Sequence, residues 1–531
     1  MKTRVVAAAL LALVIAQPAA AHIGSPDVYF EGSAGDYRML VVVRMPRVIP
    51  GVAEIEVRSL SDGLRDVRVT PMRIRGLGSD LSPVADIAER VADRPGVYRA
   101  QLWLMLRGAW KVHIVANGDR GTGELSVPVG AVSSETRPMQ RGMRWILGVL
   151  AVLLVAGAIA IVGAGVREGM TRPGTDPSPA TIRRARIAMI RAAVLIGGLV
   201  GLGDLWWRAA AADADRAVYK TPQVTATLVD PRTLSLKIAS SNTERWAERV
   251  GLNDLVPDHG HLMHLFLIRD PGMDFLVHLH PTQESRERFV QELPSMPAGR
   301  YRVFADIVHG TGFPETEIGE VALPQIVSGL PRGDDSLTPA LSLLAGPQTD
   351  SAPLTGGFRM FWLNSSGTLR AGEPIWLKFH VEDSAGRPAA NLEPYMGMAG
   401  HLVVVRIDWQ VFAHLHPAGS PPMAALELAN RPSMAGFESA TDGRTAARDP
   451  ANGAATVALE PAKGPGMAVH AGHAVVDVAP AFRSASSSEI TFPYGFPQAG
   501  YYRLFVQVKR AGRIETGVFD AQVSESGHLG N

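Results

Sequence analysis

Apolar residues follow three patterns along this chain. The first is a short run, residues 5–16, behind Lys2 and Arg4 and ahead of Ala19-Ala20-Ala21. A basic start, an apolar middle and a small-residue end predict a secretory signal peptide over residues 1–21, whose removal makes His22 the N-terminus. The second pattern is longer. Residues 145–166 run for 22 positions without a charge, and about 20 apolar residues cross a bilayer core as a helix. Residues 187–207 form a second span, with Arg191 near one end, Asp204 near the other and Trp206-Trp207 suited to the interface. The third pattern is short, strand-like and interrupted by turns. It fills residues 22–138, 218–326 and 358–525, and a loop rich in Pro, Gly, Ser and Asp at 327–357 separates the last two regions. Residues 83–91 are the exception and read as a helical turn, and the Ala-rich stretch 209–217 as a linker or helix end. Residues 421–488, rich in Ala, Gly and Ser, read as a long, partly disordered insertion. The predicted fold is mainly β: three immunoglobulin-like β-sandwich domains, with a two-helix transmembrane hairpin between the first and second.

Charge sets the expected orientation. The loop 167–186 carries Arg167, Arg172, Arg183, Arg184 and Arg186 against Glu168 and Asp176, which predicts a cytoplasmic loop. Arg141, Arg144 and Arg208 weaken the asymmetry without reversing it. A bacterial inner-membrane protein with both large regions in the periplasm follows. Lys plus Arg total 52 and Asp plus Glu 51, so no net field draws the chain to nucleic acid. Cysteine is absent, which excludes disulfides, thiolate metal sites, iron–sulfur clusters and cysteine nucleophiles. No Gly-x-Ser-x-Gly elbow, His-Glu-x-x-His or phosphate loop is present, so no catalytic residue is assigned.

An internal repeat carries the candidate chemistry. Residues 257–264 (PDHGHLMH) align with 394–401 (PYMGMAGH), 275–281 (FLVHLHP) with 411–417 (VFAHLHP), and 297–306 (PAGRYRVFAD) with 497–507 (PQAGYYRLFVQ). His-x-His on a strand puts both imidazoles on one face, roughly 6.5–7 Å apart. A hairpin centred on Gly272 sets His264 opposite His280, and a two-residue turn at Asp408-Trp409 sets His401 opposite His416. Two trios are therefore expected, His264 with His278 and His280, and His401 with His414 and His416. Metal binding is the leading reading; structural pinning and pH sensing are the alternatives. Asp306 and Gln507 occupy matching positions, read as ordinary strand residues, with support of the histidines as the other option. Ahead of the hairpins, His259 and His261 in one copy stand where Met396 and Met398 stand in the other. Imidazole and thioether together favour copper, with zinc as the second candidate. Each approach pair is expected to serve its own trio, giving the second copy the stronger preference for Cu(I). In the N-terminal region the amine and ring of His22 would chelate copper together, with His113 completing that site. In the insertion, Met467, His470 and His473 read as stray side chains, or as a scavenging arm.

The N-terminal His, the small β domain and residues 107–113 (RGAWKVH) resemble periplasmic CopC-type and YtkA/FixH-like domains. The Met-x-Met-x-x-His and Phe-x-x-His-x-His-Pro patterns resemble His/Met-rich modules of secreted bacterial copper-handling proteins. The resemblance implies immunoglobulin-like sandwiches that carry or buffer copper without catalysing a reaction. The N-terminal domain departs from CopC in lacking a Met-rich loop. The expected function is a membrane-anchored periplasmic metal-binding protein, for copper delivery, buffering or resistance. A non-catalytic envelope scaffold with structural histidines and an envelope protein partner is the alternative, and a copper-dependent oxidase using His22 is a third class.

Overall fold

A computed structural model describes residues 27–75, 82–137, 139–169, 171–172, 174–216, 218–238, 254–339, 350–431 and 488–526, and the backbone of 22–23. The expected signal peptide and most of the insertion, with Met467, His470 and His473, lie outside the described residues. The chain divides into two compact units, one of residues 132–220 and the other of 1–131 with 221–531.

The smaller unit is two helices, α1 (Arg141–Glu168) and α2 (Pro179–Arg216). Both are long and apolar enough to cross a membrane, and each extends past the span read from the sequence. Their apolar side chains face outward: Trp145, Leu153, Ile161, Val194 and Trp206 are all exposed. At one crossing Gly163 leaves room for Met189, since a Cβ there would fall 2.5 Å from its sulfur. The Ala-rich stretch after the second span is the last turns of α2, so the helix-end option holds.

The larger unit is β. In its N-terminal region a five-stranded and a four-stranded sheet enclose one core that includes Phe30, Val41, Ile55, Val67, Ile114 and Val127. The helical turn expected at 83–91 is instead a pair of short strands: Asp86–Ile87 joins one sheet and Glu89–Arg90 the other. Buried Ala88 between exposed neighbours explains the difference, because one inward residue per crossing suits a strand that changes sheets.

The two repeat modules have matching centres. In the first, β1 (His264–Asp270), β2 (Phe275–Leu279) and β3 (Gly299–Val308) lie in a five-stranded sheet backed by a four-stranded one. In the second, β4 (His401–Arg406), β5 (Val411–Leu415) and β6 (Gly500–Arg510) lie in a seven-stranded sheet backed by another of four. The loop expected at 327–357 is partly strand: Ser336–Pro339 pairs with β2, and Ser351–Pro353 begins the second module.

Both central sheets are buried on both faces. Leu265, Leu267, Val277 and Leu279 point into the first module's own core, and Leu402, Val404, Ala413 and Leu415 into the second's. The alternate residues Phe266, Ile268, Leu276 and Phe304 meet Val403, Val405, Phe412 and Phe505 in a separate apolar cluster between the modules. Four sheets therefore stack with three apolar layers between them, and the histidines lie on the middle interface. The insertion opens with a helix, α3 (Met423–Asn430), whose N-terminus is capped by Asp258, Ala424 N donating to Oδ1 at 2.7 Å. At the other end Asn430 brackets the Ser126 backbone and the Lys111 ammonium donates to Ala429 O, tying the N-terminal region to the modules.

Candidate metal centre

Strand register delivers both facing pairs. Leu265 pairs with Leu279 and Phe266 with His278, so the next step sets His264 against His280. Val403 pairs with His414 and Leu402 with Leu415, which sets His401 against His416. The nitrogens of His264, His278 and His280 lie within 4.8 Å of one another, as do those of His401, His414 and His416. The two trios also meet across the module interface. His264 and His414 ring centres are 5.4 Å apart, and those of His278 and His401 6.2 Å. The two centres expected in separate modules are one imidazole cluster, because the strands that carry them share the buried middle interface.

Hydrogen bonds decide where the ring protons sit. His264 Nε2 is 3.1 Å from Asp258 O, and a carbonyl can only accept, so the His264 lone pair is on Nδ1. His278 Nδ1 is 3.0 Å from Gln507 Oε1 and 3.2 Å from the Tyr395 oxygen. Tyr395 spends its proton on Asp334 O, and the Gln507 amide donates to Ser336, so His278 Nδ1 is the donor and its lone pair is on Nε2. His264 Nδ1 and His278 Nε2 then face each other at 3.1 Å with no proton between them. The second trio repeats these distances, but its middle ring faces Asp306, a carboxyl raised to about 7 that can share a proton with His414 Nδ1. His401 Nε2 meets Tyr395 O at 3.3 Å, His414 Nδ1 lies 3.4 Å from Asp306 Oδ2, and His401 Nδ1 faces His414 Nε2 at 3.1 Å. Opposed lone pairs as close as those of His264 and His278 repel unless a proton or a metal ion lies between them.

The outer rings agree. His280 Nδ1 donates to Asp335 Oδ1 at 3.0 Å and His416 Nδ1 to Pro421 O at 3.3 Å. Their Nε2 atoms, with that of His259, are buried without a hydrogen-bond partner among the described residues. An orphaned buried nitrogen costs roughly 1–3 kcal/mol, and a bound cation would satisfy all three. Burial holds all these rings neutral and ready to ligate. It lowers His259 and His264 to about 4, and pushes His278, His280, His401, His414 and His416 further down, with neighbouring rings adding to the effect.

Asp306 and Gln507 are more than ordinary strand residues. They pair with His264 and His401 in their own sheets, yet each supports the middle histidine of the opposite module. Burial raises the Asp306 carboxyl to about 7 although Thr316 donates to it, and raises Asp335 to about 6. Tyr395, Asp258 and Asp335 were missed by the sequence reading; only the repeat alignment of Asp258 with Tyr395, just ahead of His259 and Met396, marked two of them.

The approach segments are tight turns. Asp258 and His261 exchange backbone hydrogen bonds at 2.8 and 3.0 Å, and Tyr395 and Met398 at 2.7 and 3.1 Å. The central residues are left-handed: His259 and Gly260 at φ 53° and 86°, Met396 and Gly397 at 50° and 82°. His259 does not serve only its own trio. Its ring centre is 5.0 Å from His416 and 5.4 Å from His401, closer than the 6.0 Å to His264, and Asp258, His259 and His416 form a third ligand grouping. His261 stays with its own module, stacked on His280 at 4.0 Å with Nε2 3.6 Å from Asp334. Met398 is buried at the matching place. His22 is brought beside the second trio's strand, its backbone paired parallel with Val411. His113 is half-buried in the N-terminal region with Nδ1 3.2 Å from Ser126 Oγ, and no metal grouping among the described residues contains it.

A family described as a domain of unknown function (DUF8832) matches residues 222–317 and 356–442, one stretch in each histidine module. No curated protein matches the chain. Among solved structures, the chain is similar to an endo-fucoidan hydrolase of glycoside hydrolase family 107, at 10% identity over 91% of this chain and 43% of that one, with TM-score 0.16. It is similar to Escherichia coli alpha-2-macroglobulin at 9% identity, over 94% of this chain and 44% of that one, with TM-score 0.18. A putative membrane anchored protein from Corynebacterium diphtheriae shares 10% identity over 94% and 96% of the two chains, with TM-score 0.13. The chain spans under half the length of the hydrolase and the macroglobulin, and likeness this faint carries no functional argument.

Proposed function

We propose that the chain is a membrane-anchored metal-binding protein whose ions occupy the imidazole cluster between the two repeat modules, copper being the ion the donor set favours. The observation that carries this reading is the convergence of two histidine trios in one buried cluster, with His264 Nδ1 and His278 Nε2 facing each other at 3.1 Å and the Nε2 atoms of His259, His280 and His416 left without a partner among the described residues. A chain without cysteine, with neutral imidazoles and neighbouring methionines, suits copper; zinc would accept the same nitrogens and gain little from the thioethers. Delivery, buffering or resistance are the roles such a centre serves, and the resemblance to copper-handling secreted proteins supports them. Three pairs of facing, mainly antiparallel sheets support reading the domains as immunoglobulin-like sandwiches. The arginine-rich loop between two apolar helices supports an inner-membrane hairpin with both large regions in the periplasm.

Metal counting on the full chain in detergent tests the function. His280→Ala with His416→Ala removes the two orphaned Nε2 atoms, along with the Nδ1 hydrogen bonds to Asp335 and Pro421, and is expected to lower copper retention at least tenfold while the metal-free chain still folds, with a modestly lowered melting point. The scaffold reading, in which the histidines only pin the fold, requires the reverse. Unchanged copper retention with a strongly lowered melting point would decide for it. For topology, a reporter active only in the periplasm is expected to work when fused after Pro138 or at Asn531 and to be silent at Asp176. Activity at Asp176 would overturn the hairpin orientation.

A further inference from the structure

The two modules are related by an approximate twofold exchange, and matched contacts define it closely. His264 bonds the carbonyl of Asp258, and His401 that of Tyr395, each six residues back. His264 meets His278, and His401 meets His414, at the same 3.1 Å. His278 is held by Gln507 and His414 faces Asp306, each from the other module at matching positions. The two approach turns share one backbone conformation, and the His259 ring hydrogen-bonds the Met396 backbone, so the turn tips meet. One member of this exchange is fixed by distance: His259 crosses the interface to His401 and His416. Met396 is its counterpart.

From this symmetry we infer that Met396 crosses in the opposite direction and completes the first trio, so that the cluster is two unlike sites: His264, His278 and His280 with the Met396 thioether, and His401, His414 and His416 with the His259 imidazole. This rests on the metal-binding reading and sharpens it. His261 and Met398 are not ligands in this arrangement, because His261 lies flat against His280 with its Nε2 turned to Asp334. Thioether sulfur is soft and selects Cu(I), whereas a four-nitrogen set with the Asp258 carboxylate beside it suits Cu(II). The Cu(I) preference therefore belongs to the first module's trio, the reverse of what the methionines' place in the second module suggests.

X-ray absorption on the full chain loaded with one equivalent of Cu(I) tests the inference. A sulfur neighbour at copper is expected, lost in Met396→Leu, kept in Met398→Leu, and increased in His259→Met at two equivalents. Leucine keeps the bulk of methionine, so the turn is not emptied. Copper bound with nitrogen neighbours alone, or with sulfur that survives Met396→Leu, would overturn the exchange while leaving metal binding intact. A chain that binds no copper at all would instead overturn the parent reading, and this one with it.

Discussion

Stripped of metal and acidified from about pH 7 to about 5.5, the chain is expected to lose several kcal/mol of stability, on the order of 5. Seven rings are held neutral in the fold, His259, His264, His278, His280, His401, His414 and His416, with values lowered to about 4 or further. Unfolded, each titrates near 6.5. The unfolded chain therefore binds more protons below that pH, and stability present above about 6.5 is lost as pH falls toward the folded values. Over this interval each ring costs slightly over about 1 kcal/mol, on the order of 9 kcal/mol for the seven. Other groups around the cluster pull the opposite way. Asp306 at about 7 and Asp335 at about 6 take up protons in the fold and recover roughly 2 kcal/mol between them. His309, held charged by Asp254 and Glu315 and raised to about 9, adds about 1 kcal/mol over the same range. The balance, roughly 5–6 kcal/mol, compares with the 5–15 kcal/mol typical of folded domains. Thermal unfolding in chelator at stepped pH reads this directly. Copper should protect until protons displace it, since a bound ion occupies the same lone pairs. A melting point flat to pH 5 in chelator would mean the rings are not buried and neutral as a set.

Local geometry was legible from the sequence, and module packing was not. Hairpin register followed from turn length, which is why His264 against His280 and His401 against His416 could be read directly. The apolar helices announced themselves by length. The fusion of two trios into one cluster depended on which face of each sheet is covered, and both faces are. The sign of this was present in β1, where Leu265 and Leu267 alternate with Phe266 and Ile268 and no polar residue intervenes between His264 and Arg269. Such runs mark strands buried on both sides. Asp306 and Gln507 looked ordinary because their partners, His414 and His278, lie 108 and 229 residues away in the chain. His259 looked local for the same reason: a turn tip's neighbour across an interface is set by docking and not by spacing. The segment at 83–91 was misread because a strand that changes sheets at Ala88 breaks the period-two pattern on which strand recognition rests.

Phe412→Ala is expected to cost about 3–5 kcal/mol and, if the cluster binds copper as proposed, to lower its retention at both trios. Phe412 is buried between the modules, stacked on Phe304 with ring centres 4.1 Å apart and planes 4° from parallel, and 5.4 Å from Phe266. It lies two residues before His414 on the same strand face, in the one apolar cluster that holds the sheets together beside the imidazoles. The cavity left by its removal is flanked by two hydrogen-bonded sheets, which cannot close over it without sliding the strands that carry the histidines. Both sites depend on that alignment: Gln507 of one module holds His278 of the other, and His259 crosses to His401 and His416. Phe379→Ala is the matched control. Phe379 is fully buried in the second module's own core, so its loss should cost a similar amount without moving one module against the other. Melting points of the two variants are expected to fall together, while copper retained per folded molecule after a chelator wash should fall at least tenfold in Phe412→Ala alone. Equal retention in the two variants would mean that each module holds its ions without its partner, and the centre would then be two sites that happen to adjoin.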